Sequence, residues 1–166
     1  MPIHATFIRS SLLAIVLTLS SLSFAAVDPF PKGPDATMTP GSLCTHPTEH
    51  RYPERIAYCA RNVMSDLKKQ IFQDYDQKLG YQTQQMDRQQ FKIDHYIPLC
   101  AGGSNEKDNL WPQHVSVYTI TDPVEPLICD KMAQGRLSQA DAIVFVKRAK
   151  NDLSQVDAVM AELNAK

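Results

Sequence analysis

The chain has 166 residues and carries 17 Lys and Arg against 18 Asp and Glu. That length suits one domain with a real core. The near-zero charge argues against holding nucleic acid by bulk positive charge, which needs a strongly basic balance.

In chain order, "MPIHATFIRSSLLAIVLTLSSLSFAAVDPF" opens with Arg9, runs apolar from Leu12 to Leu19 and reaches small residues at Ser23 and Ala25. This is the pattern of a secretory signal peptide, and its apolar part falls short of the about 20 residues of a membrane span. Residues 1–25 are expected to be a signal peptide cut after Ala25, giving a secreted or periplasmic chain with no membrane attachment. A retained anchor is the competing reading. Residues 26–42, including "DPFPKGPDATMTPGS", are rich in Pro and Gly and aperiodic, which predicts a flexible lead-in. Residues 43–166 then form a single domain, and no internal repeat is visible.

Cys44, Cys59, Cys100 and Cys129 all lie in the exported part. An oxidising compartment makes two disulfides the default, in one of three connectivities. Cys44–Cys59 with Cys100–Cys129 is favoured, because each bond would tie a loop to a nearby helix. A metal site using Cys100 is the rival reading, weakened by the lack of any C-x-x-C.

"YPERIAYCARNV" places Pro53 as a first-turn residue, with Ile56, Cys59 or Ala60, and Val63 at helical spacing. "SDLKKQIFQDYDQKLG" continues with Leu67, Ile71, Tyr75 and Leu79, and Gly80 is a natural stop. One bent helix or two consecutive ones are expected, breaking near Asn62 to Ser65. Residues 81–90 read as a polar connection. "FKIDHYIPL" is strand-like through Phe91, Ile93 and Ile97, and Pro98 limits its length. "AGGSNEKD" is a turn, and "NLWPQHVSVY" starts a short helix or turn with Asp108 or Ser104 as cap. Asp122-Pro123 starts a helix closed by Gly135, Ser138 caps another, and Leu153, Val156, Val159, Met160 and Leu163 repeat the spacing in the tail. The fold class is α+β, mostly helical, with a small hairpin-like insert. Trp111 belongs in the core.

The chemistry concentrates in "KIDHYIPLCAGGSNEKDNLWPQH", residues 92–114. Hydrolysing a phosphodiester needs an activated water, a counter-charge for the phosphate and help for the leaving oxygen. A neutral imidazole can take the proton from water, worth about 10²–10⁴-fold. A divalent cation can supply the rest, and an Mg²⁺-like ion needs only one or two protein oxygen ligands. Asp94, His95, Asn109 and His114 offer a carboxylate, an amide and two imidazoles, and Gly102 and Gly103 let the intervening backbone turn sharply. On a regular strand, however, Asp94 and His95 point to opposite faces.

The form D-H-x-x-P-L-x-x-G-G-S-N followed by N-L resembles the HNH endonuclease motif of the ββα-metal nucleases. "RYPERIAYCARNV" upstream and "GGSN…NLWPQ" are similar to a secreted or periplasmic branch of that superfamily. The core motif spans residues 92–114, or 91–118 with its flanks, and the looser resemblance runs from about Cys44 to Gly135. It implies a ββα-metal motif among flanking helices, the C-terminal ones within 122–166. It also implies His95 as general base, Asn109 as loop brace and Asp94 as ligand of one divalent ion, Mg²⁺ ahead of Mn²⁺, Ca²⁺ or Zn²⁺. The family's last position, about nine residues beyond the N-L asparagine, is Tyr118 here. His114 is the nearest second ligand and Glu54 a weak outside one.

The expected function is a metal-dependent endonuclease cutting DNA or RNA with little sequence preference, its activity rising through about pH 6.5. Arg51, Arg55, Arg61 and Lys92 are candidate phosphate contacts, each also readable as an ordinary surface charge. Rival readings are a non-catalytic exported binding module on the same scaffold, and a secreted nuclease toxin, which would need an immunity or delivery partner.

Overall fold

The computed structural model of the protein describes residues 28–166, so the expected signal peptide lies outside the described residues. Those residues form an α+β structure of five α-helices and two two-stranded antiparallel sheets, tied by two disulfides. No helix among them is long and apolar enough to cross a membrane.

From residue 28 onward, the stretch expected to be a flexible lead-in is a packed strap. The Asp35 carboxylate accepts from the backbone N–H of Thr37 and Met38, which bends the chain back. Thr39 is then fully buried, donating to the Leu110 carbonyl while its hydroxyl lies 2.7 Å from that of Tyr75. Phe30 is buried edge-on against Phe91. Local Pro and Gly content said nothing of these long-range contacts.

Between Cys44 and Cys59, which are bonded with Cα atoms 5.7 Å apart, lies a β-hairpin where a helix was expected. Strand β1 (Glu49–Arg51) pairs antiparallel with β2 (Ile56–Tyr58). Pro53 sits in the turn between them, flanked by Tyr52 and Arg55 at φ of 64° and 57°. That left-handed backbone cannot continue a helix. Strand pairing and the disulfide outweigh the apolar spacing, and Ile56 drops into the core. Helix α1 (Ser65–Leu79) follows as expected, burying Ile71, Phe72 and Tyr75 and ending on a left-handed Gly80 whose N–H donates to Asp76.

The central unit is a second hairpin. Strand β3 (Phe91–His95) pairs with β4 (Leu110–His114) in the register Phe91 to His114, Ile93 to Pro112 and His95 to Leu110. "NLWPQH" is thus a strand, not a turn or helix start. Its Pro112 is tolerated because each strand of a two-stranded sheet keeps an open edge. In the intervening loop Gly102 has φ 82°, and a Cβ on Gly103 would lie 1.8 Å from the Ile97 carbonyl oxygen, so a side chain there would collide with backbone. Helix α2 (Val115–Thr121) follows β4 directly, capped by His114 rather than by Asp108 or Ser104.

Helices α3 (Val124–Ala133), α4 (Gln139–Asn151) and α5 (Val156–Asn164) complete the chain. Ser138 caps α4 as its sequence predicts, accepting from the Asp141 N–H. Cys100–Cys129 fastens the central loop to α3. Two buried clusters result. One joins α3, α4 and α5 through Ile128, Met132, Phe145, Val146, Val159 and Leu163. The other joins the strap, α1 and the central hairpin through Phe30, Ile71, Tyr75, Phe91, Leu110 and Trp111. Each fully buried side chain of this size stabilises by roughly 1.5–3 kcal/mol. Ile93 and Tyr96 belong to the second cluster and Ile97 to the first, so Asp94 and His95 fall on the seam between the two cores.

Candidate functional site

His95 closes strand β3 and is 3 % exposed. Its Nε2 lies 3.0 Å from Oδ1 of Asn105. The orientation of that amide is fixed from the other side: Asn105 Nδ2 donates to the Ala60 carbonyl, and Oδ1 also accepts from the Asn62 N–H. An amide oxygen cannot donate, so Nε2 of His95 carries the proton and Nδ1 keeps the lone pair. Burial is the main reason that the imidazole pKa falls to about 4. The Asn105 hydrogen bond and the Asp94 charge oppose the drop, whereas Arg61 and Lys150 deepen it. The ring is therefore neutral at pH 7, and the inflection expected near pH 6.5 moves to about pH 4.

Asn109 lies directly before β4. It is fully buried, its Oδ1 accepts from the Ile97 N–H, and its Nδ2 donates to the carbonyls of Ile97 and Ser104. These three bonds fasten the residues after His95 to the loop that carries Asn105.

Asp94 faces the other side of the strand, as alternation demands. It lines a cavity of about 560 Å³ with Arg61, Lys92, Asp122 and Glu125. Lys150 reaches it from α4 across the seam, its Nζ 2.8 Å from Asp94 Oδ2 and 2.5 Å from the His95 carbonyl oxygen. Lys92 lies 3.6 Å from the other carboxylate oxygen and bonds both oxygens of Asp122 at 2.7 and 2.9 Å. Burial alone would raise the Asp94 pKa, but Lys150 and Lys92 hold it below the ordinary carboxylate value. Glu125 shifts the opposite way, raised chiefly by burial.

His114 does not join Asp94. Opposed residues of an antiparallel pair share a face, so His114 lies with Phe91 and His95, while Lys92 and Asp94 occupy the other face. His114 is also three positions along the hairpin from Asp94, roughly 10 Å at strand rise. Its ring stacks on Phe30 at 4.0 Å, its Nδ1 accepts from the Ser116 N–H, and its Nε2 lies 3.2 Å from Gln90 Oε1. It is a helix cap and packing residue. Glu54 is likewise engaged elsewhere, accepting from the Gln139 N–H at the start of α4.

The expected pair of metal donors, Asp94 and His114, therefore does not meet around one ion. Among the described residues no three His, Cys, Asp or Glu side chains are placed to hold one. A dication about 2.1 Å from Asp94 Oδ2 would sit within about 5 Å of Lys150 Nζ. The Lys150 ammonium, bonded to that oxygen, is a like charge that disfavours a cation there.

Of the candidate phosphate contacts, Arg61 and Lys92 share the Asp94 cavity, and Arg61 also donates to the Ile93 carbonyl. Arg51 is engaged on the first hairpin, paired with Glu49 and stacked 3.2 Å over the Tyr58 ring, and Arg55 sits in its turn. Asn105, Asp122, Glu125 and Lys150 had no assigned role in the sequence. Asn105 lay inside the quoted motif, and Lys150 had no local signal at all. No protein-family model, curated protein or solved structure matches this chain.

Proposed function

We propose that this chain is an exported phosphodiester hydrolase that cuts nucleic acid, DNA or RNA, with His95 as the base that activates water. The observation that carries this reading is the Asn105–His95 hydrogen bond, which leaves a neutral imidazole with its lone pair on Nδ1. Water attacks phosphorus as its proton passes to Nδ1. The bond to the leaving oxygen breaks, and that oxygen takes a proton from solvent. A base with a pKa near 4 is weak, but an anionic phosphodiester beside it favours the imidazolium and raises that value. Arg61, whose charge reaches the His95 ring, supplies a cationic contact for the phosphate. The hairpin followed directly by α2 and the bracing Asn109 support a likeness to the HNH nucleases. The donors around Asp94 do not suit the divalent ion of that family, so no step here depends on one. Export is supported by the two disulfides.

A specific observation favours a second reading, a non-catalytic exported module that binds nucleic acid: Asp94, His95 and His114 do not converge on one ion-sized gap. Plasmid DNA and RNA are incubated with wild type and His95→Ala, each with Mg²⁺ and with chelator. Cleavage by wild type that falls at least about 100-fold in the variant supports the hydrolase. Equal cleavage by both sinks His95 as base, and salt-sensitive binding without cleavage selects the second reading.

A further inference from the structure

Asp94 is the carboxylate around which the family likeness implies an ion, and the chain surrounds it with cations of its own. Lys150 is 2 % exposed, and a lysine is buried to that degree almost only when paired. Its ammonium ties one Asp94 oxygen to the His95 carbonyl and so also fixes the strand end that presents the imidazole. On the other oxygen stands Lys92, held between Asp94 and Asp122. Tyr118, nine residues past Asn109 at the place of the motif's last donor, turns its ring face to Lys92, with Nζ 4.9 Å from the ring centroid. An aromatic face attracts an ammonium. Asp94 and Tyr118 are thus joined through the Lys92 ammonium.

We propose that Lys150 and Lys92 are the built-in counter-charge of Asp94 in place of a divalent ion, and that the protein binds no such ion at this carboxylate. The structural half rests on the geometry around Asp94 alone, and the catalytic half rests on the proposed hydrolysis. Lys150 is then a positioning residue, anchoring Asp94 and the His95 backbone, whereas Arg61 meets the substrate's charge. Activity should be insensitive to chelation.

The test is a Mn²⁺ titration of the isotope-labelled, oxidised protein followed by NMR. Amides from Lys92 to Tyr96 and at Tyr118 should keep their line widths up to about 1 mM Mn²⁺, the weak end of protein sites for divalent ions. Broadening confined to those amides at micromolar Mn²⁺ would overturn the proposal. In parallel, cleavage is measured after exhaustive chelation. An unchanged rate supports the proposal, and loss of cleavage restored by Mg²⁺ refutes it. Absence of cleavage under every condition counts against the hydrolase reading alone, and the NMR titration still decides the ion.

Discussion

Acidification is the perturbation that reads the state of His95 most directly. The folded imidazole has a pKa of about 4, set mainly by burial, while the unfolded one titrates near 6.5. Below pH 6.5 the unfolded chain takes up a proton that the folded chain refuses, so stability present above that pH is lost as pH falls toward 4. At pH 4.5 the gap spans about 2 pH units at about 1.36 kcal/mol each, a loss of about 2–3 kcal/mol. Urea unfolding of wild type and His95→Gln at pH 7.5 and pH 4.5 isolates this contribution from the carboxylates. Wild type should lose about 2–3 kcal/mol more than the variant over that interval. NMR of the ring should show a neutral imidazole with the proton on Nε2 at pH 5.5. Equal losses in the two proteins, or a ring titrating near pH 6.5, would refute the buried, Asn105-tethered imidazole.

Asn109→Ala strands the Ile97 N–H and the Ile97 and Ser104 carbonyls. At roughly 1 kcal/mol for each lost bond, urea unfolding should show a cost of about 3 kcal/mol. His114→Ala removes a cap and should cost about 1 kcal/mol in the same assay while leaving cleavage within about twofold, whereas losing even a hydrogen-bond partner of an ion's ligand typically costs about 10–100-fold. Arg61→Ala should weaken nucleic-acid binding and reduce its salt dependence by about one phosphate contact, seen in mobility shifts across a salt series. It should also raise the His95 pKa, because a cation that depresses it has gone. Replacing Cys44 and Cys59 by Ser should cost about 3 kcal/mol for a loop of 15 residues, and should loosen the His95 ring as followed by NMR.

The later helices were legible because one face of each is buried. Ile128 and Met132, or Ala142, Phe145 and Ala149, recur at the spacing that burial imposes, and Ser138 marks its helix start by its own hydrogen bond. The first hairpin was not legible. Three-residue strands are too short to show a period, and Ile56 and Val63 happen to sit at helical spacing. The strap was hidden because its burial depends on Tyr75 and Leu110, far along the chain. At the site, Asp94, His95 and Asn109 stood out as a motif, but which of them face one another is a matter of register parity. His114 pairs with Phe91, an odd number of residues from Asp94, and that relation exists only once the strands are aligned. Lys150 lies 55 residues from His95 and meets it by the packing of two cores.

The Cys44–Cys59 bond bears on when the protein becomes competent as well as on how firmly it folds. Cys59 directly precedes Ala60, Arg61 and Asn62, and the backbone of Ala60 and Asn62 sets the Asn105 amide that assigns the proton on His95. On the proposed function, a chain without this bond would hold the Ala60 to Asn62 segment, and with it the tether of His95, less firmly. Forming the bond would then complete the proposed base as well as steady the fold.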